Sequence, residues 1–166
     1  MKLHIASQQH FSCLMCGRCC RSFHVLLRPD EIRRLERLDW GRNPPPGADD
    51  FVSSVGGYRF FRRRPETGAC LFQAEDNGCL IHRHFGFHAK SLACRGYPYS
   101  FANTFPGEVT VLARLDCPAV LQNSGESLEN DRRALTALAS ELPQDDGFTP
   151  AQLCLLQRPA VEAIQQ

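Results

Sequence analysis

The chain has 166 residues, 43% hydrophobic and 22% charged, with a formal net charge of +1. Those values describe an ordinary globular chain about one domain long and give no global case for a nucleic-acid partner. No run of about 18 apolar residues occurs, which argues against a membrane span, and Met1 to Ser12 is too polar for a secretory signal, so a reducing cytoplasmic compartment is expected.

The first feature along the chain is Cys13-Leu14-Met15-Cys16-Gly17-Arg18-Cys19-Cys20, four thiols in eight residues. Gaps of two residues let a tight turn aim successive sulfurs at one centre, and Gly17 can supply the positive φ that such a turn demands. Phe23 to Leu27 then reads as a short strand. Pro29-Asp30-Glu31 opens a helix, with proline in the first turn, acids at its positive end and Ile32, Leu35 and Leu38 on one face. Gly41 and the Pro44-Pro45-Pro46-Gly47 loop end it.

Phe51 to Arg64 is predicted to be largely extended, with its aromatics alternating inward. Asn77-Gly78, between Cys70-Leu71-Phe72 and Cys79-Leu80-Ile81, predicts a hairpin that brings Cys70 and Cys79 together. His82 to Cys94 is predicted to be helical, placing His84 and His88 on one face. A half-buried strand is expected over Glu108 to Asp116 and an amphipathic helix over Leu128 to Leu142. Thr149-Pro150-Ala151-Gln152 matches a capping box and predicts a second C-terminal helix, in which Cys154 would be a buried structural thiol.

Nine cysteines is an odd count and fits poorly with a fully paired disulfide framework. Setting Cys154 aside leaves two sets, Cys13, Cys16, Cys19 and Cys20, then Cys70, Cys79, Cys94 and Cys117. All eight are candidate metal ligands. Two zinc sites of four ligands would use them, and so would an iron–sulfur cluster with further thiols to spare. No ferredoxin-type fourth cysteine follows Cys19 and Cys20 locally, because that position is Phe23. Adjacent side chains in an extended segment point to opposite faces, so Cys19 and Cys20 are not expected to bind one mononuclear ion together but to serve two centres or different irons of a cluster, and an iron–sulfur cluster, 4Fe–4S, is favoured over zinc. His82, His84 and His88 are further possible ligands. Arg18, Arg21, Arg83 and Arg95 flank the cysteines and could offset an anionic centre.

The ordered segments Phe11-x-Cys13-x-x-Cys16-Gly17-x-Cys19-Cys20, Cys70-Leu71-Phe72, Gly78-Cys79-Leu80-Ile81 and Cys94-Arg95-Gly96-Tyr97-Pro98 resemble the YkgJ-type cysteine-cluster family, named for its CxxCxxCC motif. The resemblance spans residues 11 to 98, with Cys117 as a further match, and implies zinc or iron binding. This chain departs from the family at His82, where a tyrosine is usual, and at Lys90-Ser91, where Arg-Pro is usual. Flagellin lysine methylases carry a related motif, so an enzyme with protein lysine methyltransferase-like activity is the alternative to a binding module in metal handling, redox chemistry or sensing.

No glycine-rich phosphate loop or GxGxxG segment supports a nucleotide or S-adenosylmethionine pocket. Arg62-Arg63-Arg64 beside Tyr58, Phe60 and Phe61 could contact nucleic acid, but a solvated edge strand is the favoured reading; a protein partner stays open. The expected architecture is α+β, one small loop-rich, metal-stapled domain over 1–166, with a metal-binding core at about 11–120 and a helical tail at about 125–166. Losing Cys16 is expected to destabilise the whole domain, since metal ligands are not preassembled in the unfolded chain.

Overall fold

Pro29 occupies the first turn of its helix, where its missing N–H costs no intrahelical bond. Glu31 closes the capping box behind it by accepting from the Arg28 backbone N–H at 2.9 Å. The computed structural model describes residues 1–6, 8–41, 44–142 and 155–157. In chain order its elements are β1 (Lys2–Ile5), α1 (Arg18–Ser22), β2 (Phe23–Val25), α2 (Pro29–Glu36), β3 (Val52–Val55), β4 (Tyr58–Phe61), α3 (Leu80–Phe85), α4 (Leu92–Gly96), β5 (Tyr99–Phe105), β6 (Glu108–Ala113), α5 (Pro118–Leu121), α6 (Arg132–Ser140) and β7 (Leu155–Gln157). Single 3-10 turns cover Phe87–Ala89 and Leu128–Asp131. The mixture of helices and small sheets is α+β, as expected.

The described residues group into two compact units. The first takes Met1–Leu14 and the chain from Gly96 through residue 142. Its sheet runs β1-β6-β5, with β1 parallel to β6 in the register Leu3↔Val109 and Ile5↔Val111, and β5 antiparallel to β6. Alternation in β6 buries Val109, Val111 and Ala113 on one face, as the sequence pattern predicts. Just before Cys13 the chain is laced to the loop at 123–128: the Phe11 N–H donates to Glu126 O, the Leu128 N–H to Gln9 O, and Gln9 bonds Ala113 through both ends of its amide.

The second unit takes Met15–Arg95 and residues 155–157. Its hairpin, β3 with β4, turns at Gly56-Gly57, and β2 pairs with β7. Phe51, Phe61 and Phe72 pack ring against ring at centroid distances of 5.5–6.1 Å, with Trp40 stacked on Phe72. In β4 the inward alternation fails: Phe60 and Phe61 are both buried, whereas Tyr58 and Arg59 are exposed. Phe60 also bridges Leu26, so the end of this strand is packed on both sides.

Two helix expectations differ from the structure. The single helix over His82 to Cys94 is three pieces, because Gly86 takes φ 84 and ends α3. His84 and His88 therefore do not share a helical face. Residues 155–157 are strand and not helix, while the capping box at 149–152 and Cys154 lie outside the described residues.

Candidate metal centre

Gly17 adopts φ 68, the left-handed conformation expected of it, and starts α1. Cys19 and Cys20 therefore sit in a helical turn, and not in the extended segment the sequence reading assumed. Successive helical side chains diverge by about 100° instead of 180°, so the two thiols can meet. Their side chains share a hydrogen bond. That bond holds the Cys19 thiol below its usual range, with help from the charge of Lys90 and against the effect of burial. The same bond, burial and the charges of Cys19, Cys70 and Cys94 push Cys20 far upward.

The two sequence sets meet here. The Cys70 backbone N–H donates to the Cys20 carbonyl at 2.8 Å. The Asn77-Gly78 turn closes with the Asn77 N–H on Ala74 O and a Gln73↔Cys79 bridge, a tight loop where paired strands were expected. Burial pushes the Cys70 thiol up to about 11, reinforced by the charge of Cys79 and opposed by the Phe72 N–H, Arg63 and Arg64. Burial likewise pushes Cys94 up to about 12, reinforced by Cys70 and Cys79 and opposed by Lys90 and Ser91. Cys19, Cys20, Cys70, Cys79 and Cys94 thus form one electrostatically connected group of five thiols within the second unit.

The other candidates are placed differently. Cys16 is exposed on the same unit, at the start of the Gly17 turn. Cys13 belongs to the first unit, close enough to Tyr99 for its charge to bear on that phenol. Cys117 is buried in the first unit's apolar cluster with Ala113, Ala119, Val120 and Leu128. His82, His84 and His88 lie at the edges of aromatic rings, His82 and His88 on Phe87 and His84 on Trp40 and Phe85.

The cations acting on the thiols are Lys90, Arg63 and Arg64, none of which was singled out as a counter-charge from sequence. Of those that were, Arg21 grips the Cys16 carbonyl at 2.6 Å and Arg83 pairs with Asp76 at 2.5 Å. Arg62, Arg63 and Arg64 are occupied within the fold, by Asp50, by the carbonyls of Phe23 and Arg21, and by Leu71 O. Residues 15–95 carry 14 Lys and Arg against nine Asp and Glu, an excess of five, in a chain whose net charge is +1. Each thiol that binds metal becomes a thiolate, so the positive excess lies where anionic ligands would gather.

A group of soft sulfur donors fits zinc or iron and suits hard cations such as calcium poorly. Among the described residues, no group of three or more His, Cys, Asp or Glu side chains is placed so as to hold a metal ion. A family model described as "CxxCxxCC: Putative zinc- or iron-chelating domain" matches residues 12–118, a span that takes in Cys13 through Cys117 and leaves out Cys154. No curated protein and no solved structure matches the chain.

Proposed function

The chain belongs to the CxxCxxCC family, and we propose that it holds an iron–sulfur centre through Cys19, Cys20, Cys70, Cys79 and Cys94, joined by Cys16. The observation that carries this reading is the backbone bond that sets Cys70 against Cys20, with Cys79 closing the same loop through its bridge to Gln73. A single tetrahedral zinc takes four ligands, whereas a centre of several metal atoms can draw on adjacent sulfurs such as Cys19 and Cys20 for different atoms. When bound, such a centre supplies one-electron redox chemistry. The protein's own contribution is to gather the sulfurs and, where burial opposes the loss of the Cys70 and Cys94 protons, to set Lys90, Arg63 and Arg64 against the charge that metal binding creates. This describes a metal-binding module for electron transfer, sensing or metal handling in the cytoplasm.

Anaerobic purification followed by visible absorbance and Mössbauer spectroscopy tests the proposal. Broad sulfur-to-iron absorption with the spectrum of sulfur-ligated iron is expected, and both should be lost in Cys70→Ser and Cys94→Ser. A colourless protein carrying zinc alone would overturn the iron–sulfur assignment.

A further inference from the structure

Gln73 is 3% exposed, a buried amide beside the N-terminal cysteine turn. Its Nε2 donates to Gly17 O at 3.4 Å and to Asn77 Oδ1 at 3.3 Å. Asn77, held at φ 65, also accepts from Arg21 Nη1 at 2.7 Å, and Arg21 Nη2 donates to Cys16 O at 2.6 Å. The approach is close: a Cβ on Gly17 would lie 2.1 Å from Gln73 Nε2 and 2.9 Å from the Asn77 Cβ. Gln73 follows Cys70 by three residues and Asn77 precedes Cys79 by two. The bonds therefore tie the loop bearing Cys70 and Cys79 to the turn bearing Cys16 and Cys19.

Global stability does not by itself account for this arrangement. Both Arg21 bonds are exposed, and hydrogen bonds among exposed groups add little to a fold; only the Gln73 bonds are buried or part-buried. Their geometric effect is larger. With the Cys16 and Gly17 carbonyls both held, the turn cannot rotate freely about its left-handed glycine, and the spacing between the two cysteine segments is set in advance. Metal then has less backbone ordering to impose on binding.

We propose that Gln73, Asn77 and Arg21 are positioning residues for metal capture, a clasp that fixes the Cys16 turn against the Cys70–Cys79 loop; this rests on the metal-binding reading above. The test is the Zn²⁺ affinity of the reduced, full-length apo-protein, measured by competition with a chromophoric chelator beside its thermal unfolding. Asn77→Gly keeps the left-handed turn and removes the acceptor, Arg21→Met removes the grip on Cys16, and Asn77→Asp retains the acceptor. The first two are expected to weaken Zn²⁺ binding by about 10- to 100-fold, the range for residues that orient metal ligands, with little change in apo unfolding, while Asn77→Asp stays near wild type. Unchanged affinity in Asn77→Gly and Arg21→Met would overturn the clasp, as would a loss that merely tracks apo destabilisation. A wild-type chain that takes up neither zinc nor iron would instead overturn the metal-binding reading, and the two failures are separate observations.

Discussion

At Gly17 a hydrogen atom stands where any other residue would place a β-carbon, 2.1 Å from Gln73 Nε2. Its positive φ was legible from its place inside the cysteine run. Gln73 was not, since a buried glutamine in a single sequence looks like any surface one. An extended segment would turn Cys19 and Cys20 to opposite faces, whereas the helical turn lets them meet.

The residue scale also sets a pH dependence. Burial raises Cys70 to about 11 and Cys94 to about 12, against an ordinary 9.0. A raised thiol binds its proton more tightly folded than unfolded, so its stabilising contribution is complete below pH 9.0 and disappears as pH climbs through 11 to 12. The apo-protein's urea midpoint is therefore expected to fall above pH 9.0, and to fall less steeply in Cys94→Ala. A flat profile to pH 11 would contradict this placement of the thiols.

At the scale of elements, local rules worked where local residues decide. Pro29-Asp30-Glu31 announced α2, and Val109, Val111 and Ala113 announced β6. The run from His82 to Cys94 reads as one helix in the sequence, but Gly86, at φ 84, outweighs the helix formers around it. What no local pattern reveals is that Glu31, 2% exposed, serves two elements: Oε2 caps α2 at the Arg28 N–H, and Oε1 accepts from the Leu92 N–H of α4 at 2.6 Å. Glu31→Ala leaves both donors without that partner and is expected to cost about 2–3 kcal/mol in chemical denaturation, with Glu31→Gln costing less because one acceptor survives. Equal losses in the two variants would show that packing, not hydrogen bonding, is what Glu31 supplies.

Over the whole molecule, the sequence offers the two cysteine sets as parts of one ligand set, and the bond that brings them near one another joins residues fifty positions apart, Cys20 with Cys70. The parallel partner of β6 is hidden: Lys2-Leu3-His4-Ile5 alternates as a strand does but is only four residues long, and its register with residues 108–111 is what reveals it. The family match points to zinc or iron chelation. The most direct test is the metal content of anaerobically purified wild-type and Cys70→Ser proteins, measured by elemental analysis on the folded, monodisperse fraction. Iron or zinc in stoichiometric amount in the wild type, lost in the variant, is the expected result; a folded wild-type protein containing neither metal would contradict it.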